Sequence, residues 1–262
     1  GFIGAGWLGV DIFFVISGFL ITGMLAKDIG RGQFRFSTFY FRRAKRLLPA
    51  AYVTFAVTAA ASFLVLDASE WQDFTRQLAG ALSFTANFVL LQQTGYFAGA
   101  AALKPLLHVW SLAVEEQYYL LMPAALLLVP RRWWFAGSLV VLAASFALCV
   151  ALTYSRPDAA FYLLPARAWE LAIGSFAALI GARGQRLKTW IARLFLPALA
   201  ALFVVPIWPL PAPNFANIAI VCVATLVVIL RRHDELQDRP IPNVLATVGD
   251  ASYSLYLVHW PI

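Results

Sequence analysis

The sequence predicts an all-α fold: a polytopic transmembrane helical bundle. Hydrophobic residues make up 61% of the 262 positions, well above the roughly 45–50% of soluble domains. Charged residues are only 13%, against about 25% normally, and mean hydropathy is +0.75. The apolar residues also come in long runs separated by short basic segments, and about 20 apolar residues in a helix cross a bilayer.

Taken in order, the runs Trp7–Ala26, Leu47–Leu66, His108–Val129, Trp133–Thr153, Arg167–Ala182, Leu194–Leu210 and Phe215–Leu230 read as seven complete spans. An eighth begins near Val248 and is truncated. Leu78–Gln92 is apolar but short and carries Ser83, Thr85 and Asn87, so it is either a short span or a re-entrant segment. Charge decides its side. If it does not cross, the inner loops are Lys27–Arg46, Arg131–Arg132, Arg183–Arg193 and Arg231–Asn243, with 16 of the 20 Lys/Arg. If it crosses, Arg131–Arg132 and Arg183–Arg193 end up outside, against the positive-inside rule. The first arrangement places residue 1 outside. Pro206–Pro213 marks an outer turn.

The formal charge of +7 therefore records topology rather than nucleic-acid binding, and no basic, aromatic-interleaved nucleic-acid module is present. Cys149 and Cys222 lie inside apolar runs with no metal or redox spacing, so no metal is expected. No Walker or dinucleotide glycine pattern occurs. Gly1 is not an initiator methionine and Pro261-Ile262 ends inside an apolar run, so residues 1–262 read as one domain truncated at both ends.

Acids inside apolar runs are costly, by roughly 2.5–3.5 kcal/mol each on insertion scales. Asp11, Glu115, Glu116 and Glu170 lie at the outer ends of three predicted helices, and together they suggest a polar cavity. Helical phase puts His108, Ser111 and Tyr119 on the Glu115 face and turns Glu116 about 100° away, toward a neighbouring helix. A histidine–carboxylate pairing suits proton transfer; the alternative for His108 is a helix end in water. Gly18 and Thr22 share the Asp11 face, whereas Ser17 reads as a small residue that lets backbones approach. Arg167 and Glu170, three apart, form either a self-neutralising ion pair or a substrate contact. Tyr40, Arg42, Arg43 and Arg46 lie in a cation-dense loop, Phe39–Arg46, which either anchors topology at anionic membrane lipid or cradles a phosphorylated cosubstrate.

Four segments, in order, resemble the membrane acyltransferase-3 family, the bacterial O-acetyltransferases of surface polysaccharides. They are Gly9-Val-Asp-Ile-Phe-Phe-Val-Ile-Ser-Gly-Phe-Leu-Ile-Thr22, Phe39-Tyr-Phe-Arg-Arg43 with Arg46-Leu-Leu-Pro49, Pro105-Leu-Leu-His-Val-Trp-Ser-Leu-Ala-Val-Glu-Glu-Gln-Tyr-Tyr119, and Ser252-Tyr-Ser-Leu-Tyr-Leu-Val-His-Trp-Pro261. Phe161-Tyr-Leu-Leu-Pro-Ala-Arg-Ala-Trp-Glu170 resembles the branch fused to a C-terminal SGNH domain. The resemblance implies about ten helices in a bacterial inner membrane. It implies an acyl-CoA donor on the cytoplasmic side, usually acetyl-CoA, and a sugar hydroxyl acceptor outside, on a polysaccharide such as lipopolysaccharide O-antigen or on a lipid-linked sugar. It also implies that Tyr40, Arg42, Arg43 and Arg46 serve the donor. The family's essential histidine belongs to a helix upstream of residue 1, so the first and last family helices are expected to be missing and the fragment inactive. Asp11, His108 and Glu115 are then supporting catalytic residues, and Ser111, Glu116, Tyr119, Arg167 and Glu170 candidate substrate contacts. A sugar transporter or flippase is the alternative, but no internal repeat supports it.

Overall fold

The computed structural model describes residues 7–94, 104–180, 185–208, 214–236 and 243–261, and every regular element among them is helical. The helices are α1 (Leu8–Gly30), α2 (Phe36–Val65), α3 (Ala68–Leu82), α4 (Ala86–Gln92), α5 (Val109–Leu128), α6 (Trp134–Ser155), α7 (Pro157–Tyr162), α8 (Leu164–Ile180), α9 (Gln185–Ile207), α10 (Asn214–Leu236) and α11 (Asn243–Val258). Six stretches are long and apolar enough to cross a membrane: Leu8–Gly30, Phe36–Val65, Arg131–Ser155, Pro157–Ile180, Trp190–Ile207 and Asn214–Arg231. The chain is a multi-pass membrane protein. The expected span at His108–Val129 is helical as α5 but is not among the six. Ser111, Glu115, Glu116 and Gln117 dilute its apolar run. Most of the proline turn at 206–213, and Arg183 and Arg239 of the expected inner loops, lie outside the described residues.

Outward-facing positions on these helices are apolar where a soluble protein would be polar. Leu64 is 82% exposed, Val140 66%, Leu196 71% and Phe203 66%, a pattern that fits lipid rather than water as the surrounding solvent.

The chain forms two compact units. The first comprises Gly1–Gln33 and Tyr118–Pro240, the second Phe34–Gln117 and Ile241–Ile262. In the first, α8 packs on both α1 and α6, and α10 packs on α1 and α9. Its core gathers Leu8, Val15, Trp169, Ile173, Val221 and Cys222. Two glycines permit the α1–α8 contact. A Cβ on Gly18 would run into the Leu171 carbonyl, and one on Gly174 would run into the Val15 carbonyl oxygen. Small residues let membrane helices approach backbone to backbone in this way.

In the second unit, the cation-dense segment expected as a loop is helical. It forms the first turns of the 30-residue α2. Phe36, Phe39 and Tyr40 fall at i, i+3 and i+4, with Tyr40 stacked on Phe36 at 6.3 Å and Phe39 edge-on to Tyr40 at 5.0 Å. This local aromatic cluster stabilises the helix start, as neighbours at that spacing do. Asp67 caps α3: its carboxylate accepts from the Ser69 and Glu70 amides at 2.8 Å each, while Glu70 accepts from the Asp67 amide at 3.1 Å. The Glu70 amide, with the hydroxyl and amide of Ser69, donates to the ionised Asp67 carboxylate and holds it below its ordinary range.

The Leu78–Gln92 segment is two pieces, α3 and α4, broken at Ser83–Thr85. Phe84 at the break has φ 57°, unusual for a bulky side chain. Gln117 holds it there, donating to the Phe84 carbonyl at 2.9 Å and to Asn87 Oδ1 at 2.8 Å. A break of this kind suits a short or re-entrant segment better than a continuous span.

Candidate functional site

In the first unit, the apolar helices α1 and α8 bring three charged side chains together. Arg167 of α8 donates to Asp11 of α1 and lies 3.1 Å from Glu170, one turn on along α8. Asp11 and Glu170 are 0% exposed and Arg167 is 2%. The guanidinium also lies 5.8 Å from the Phe14 ring and 5.7 Å from the Phe161 ring, within cation–π range. Leaving a charge without its partner in such surroundings costs about 3–5 kcal/mol, so the pairing holds α1 to α8. The local Arg167–Glu170 pair expected from spacing exists, but it is not self-contained, because Asp11 joins it.

Further along α1 and α8, hydroxyls pair with each other and with tyrosines of α5. Thr22 donates to Ser175 at 2.7 Å, and Tyr118 meets Ser175 at 2.7 Å. Ser17 hydrogen-bonds to the Tyr119 hydroxyl. Gly18 of the Ser17-Gly18 pair makes the close backbone approach expected of small residues, and Ser17 adds a polar contact. Thr22 and Gly18 do lie on the helix face that meets α8, as the phase relation to Asp11 indicates.

In the second unit, Arg43 of α2 donates to Glu116 of α5 at 2.6 Å, with both side chains less than a fifth exposed. Helical phase had turned Glu116 toward a neighbouring helix, and that helix is α2. Glu116 stands at the rim of a narrow, partly open apolar cleft lined by Leu47, Ala51 and Phe55 of α2, Ala81, Leu112 and Tyr253. Tyr40 is half-buried beside this rim, whereas Arg42 and Arg46 are exposed on the same helix start.

His108, just ahead of α5, is buried. It packs edge-on against Tyr256 at 5.6 Å and His259 at 5.4 Å. Tyr256 donates to the His108 carbonyl at 2.9 Å and shares a 2.5 Å hydrogen bond with Ser111. His259 Nδ1 lies 2.5 Å from the Tyr256 carbonyl. That contact fixes the proton on Nδ1 and leaves Nε2 as the basic nitrogen. Glu115, also buried, lies in electrostatic reach of Tyr253 and Tyr256.

The candidate residues thus divide between the units. Asp11, Arg167, Glu170 and Tyr119 belong to the first. His108, Ser111, Glu115, Glu116, Tyr40, Arg42, Arg43 and Arg46 belong to the second. Sequence reasoning missed Tyr253, Tyr256 and His259 as neighbours of this second group. The final Ser252–Pro261 motif was the available signal, but neither phase nor spacing links it to α5. Among the described residues, no group of three or more His, Cys, Asp or Glu is placed to hold a metal.

A family model described as an acyltransferase domain (Acyl_transf_3) matches residues 3–262. A Komagataeibacter xylinus protein provisionally named a membrane-bound transacylase is 29% identical over all of this chain and 67% of its own length. A Haemophilus influenzae protein of unassigned function is 40% identical over 41% of this chain and 44% of its own. A Staphylococcus aureus protein provisionally named an O-acetyltransferase is 38% identical over 43% of this chain and 18% of its own. Two of these three relatives are thus matched over less than half their length. No solved structure matches.

Proposed function

The chain belongs to the membrane acyltransferase-3 family, and on that premise we propose that the protein transfers an acyl group, acetyl in the first instance, from cytoplasmic acyl-CoA to a hydroxyl of an extracytoplasmic polysaccharide or lipid-linked sugar in the bacterial inner membrane. The thioester C–S bond breaks and an ester C–O bond forms. The proton lost by the hydroxyl is balanced by one gained by the CoA thiolate.

The observation that carries this reading is the Arg43–Glu116 pair, whose Glu116 stands at the rim of the apolar cleft. Arg42, Lys45 and Arg46, exposed on the same helix start, supply cations for the phosphates of a CoA donor. The cleft below supplies an apolar wall for its pantetheine arm and acyl group. Glu116 fixes the Arg43 guanidinium, so one arginine is aimed while its neighbours remain free to follow the phosphates. On the acceptor side, His108 and Glu115, with Ser111 and Tyr256, orient a sugar hydroxyl.

Donor saturation of the full-length protein tests the reading. Arg42→Ala with Arg43→Ala is expected to raise the acyl-CoA KM with the protein still present in the membrane. Unchanged donor saturation would remove the α2 start from the site.

A further inference from the structure

We infer that Asp11, Arg167 and Glu170 form a proton-binding site inside the membrane domain, with one proton shared between the two carboxyl groups. Two carboxyl groups face one guanidinium, and all three side chains are removed from solvent. With both acids ionised, the cluster carries one surplus negative charge.

The elements packed against the cluster bring the following groups. α1 brings Asp11, and α8 brings Arg167 and Glu170. α6 brings Cys149, and α10 brings Cys222, whose thiol lies 4.0 Å from the Asp11 carbonyl oxygen. α7 brings the Phe161 ring. Among the described residues none of these supplies a second cation. Arg167 is committed to Asp11, to Glu170 and to the two aromatic faces.

The oxygens point the same way. Asp11 Oδ2 and both Glu170 oxygens make no hydrogen bond of ordinary geometry, and each carboxyl lies within the other's electrostatic reach. Two carboxyls held together in an apolar site do not both ionise, because like charges repel and burial opposes each charge separately. A proton between them removes the surplus charge and supplies the missing donor. The same pair of oxygens then gains a hydrogen bond, and the cluster becomes neutral. The site lies apart from the donor cleft in sequence and in structural unit, and its existence does not depend on the acyl-transfer reading. It is one more group able to hold or release a proton in a domain whose proposed reaction takes a proton from one substrate and gives one to another.

Infrared spectroscopy of the full-length protein in lipid nanodiscs at neutral pH tests the site, reading the carboxylic-acid C=O band and its shift in D2O. The wild type is expected to show a band worth one protonated carboxyl per chain. Asp11→Asn and Glu170→Gln should each remove it, because the remaining acid then ionises against Arg167. Both single variants should remain folded, whereas the double variant, which strands Arg167, should lose folded protein. A wild-type spectrum with no such band overturns the proposal whether or not any variant folds. A band that survives both single substitutions belongs to another acid and overturns it as well.

Discussion

Arg167 on α8 is bound to Asp11 on α1, 156 residues earlier in the chain, and neither side chain reaches solvent. Removing the guanidinium leaves two buried acids without a counter-charge. Arg167→Met is therefore expected to cost about 3–5 kcal/mol of stability, the usual penalty for breaking a buried pair from one side. Arg167→Lys should recover only part of it, since a lysine is a point charge and cannot reach two carboxyls as a planar fork does. Thermal unfolding of the full-length protein in detergent measures both. A Met variant as stable as wild type would remove the pair from its structural role.

The α1–α8 contact makes a second prediction. Gly18→Ala and Gly174→Ala each place a methyl against backbone, which cannot move aside as a side chain can. Each should cost at least about 1–3 kcal/mol, the range for overpacked sites. Gly137→Ala, where a Cβ meets nothing within 4 Å, should be neutral or slightly stabilising, since alanine is the better helix former. Melting temperatures of the three variants, compared under one condition, check the ranking. Equal behaviour would mean that the two helices do not approach this closely.

The Arg43–Glu116 pair predicts a split in kinetic parameters. Glu116→Gln keeps the shape of the side chain and removes the charge that aims Arg43. Hydrogen bonds to charged groups contribute about 1.5–3 kcal/mol, which corresponds to roughly a 10- to 150-fold change at 1.4 kcal/mol per decade. The acyl-CoA KM is expected to rise within that range, with a smaller change in kcat. Steady-state donor titrations read this directly, and a fall in kcat at constant KM would place Glu116 in the chemical step instead.

The α3 cap gives a pH dependence with a defined sign. The Asp67 carboxyl is held below its ordinary range by the amides it caps. A depressed carboxyl contributes stability above its unfolded-state value and loses it as pH falls through the folded one. Protection of the amides in the first turn of α3, taken relative to their intrinsic exchange rate at each pH, should be high at neutral pH and fall in acid. Asp67→Asn, which retains the cap without a titrating group, should flatten that dependence. Equal acid sensitivity in the Asn variant would assign the effect to another acid.

Much of the fold is legible in the sequence because a bilayer leaves one solution for an apolar run, a helix with its backbone bonds internal. Ser83, Thr85 and Asn87 mark Leu78–Gln92 as a short span or a re-entrant segment, but they do not give the helix break itself. The start of α2 was not legible. Its dense cations read as a loop, while the Phe36–Phe39–Tyr40 cluster that makes it helical depends on ring packing. The candidate site was legible by residue type and by phase within one helix. Phase turned Glu116 away from the Glu115 face, and spacing found Arg167 beside Glu170. Neither relation reaches between helices. The partnership of Arg167 with Asp11, of Arg43 with Glu116 and of Ser111 with Tyr256 is set by which helices pack together, and a single sequence does not carry that information in its periodicity.

Transfer of label tests the central claim most directly. The full-length protein, reconstituted in sealed vesicles with polysaccharide acceptor inside and radiolabelled acetyl-CoA supplied only to the face bearing the α2 start, is predicted to deposit alkali-labile label on the acceptor, and Arg42→Ala with Arg43→Ala to slow that deposition at low donor concentration. Folded, membrane-inserted protein that moves no label from acetyl-CoA to the acceptor would contradict the account.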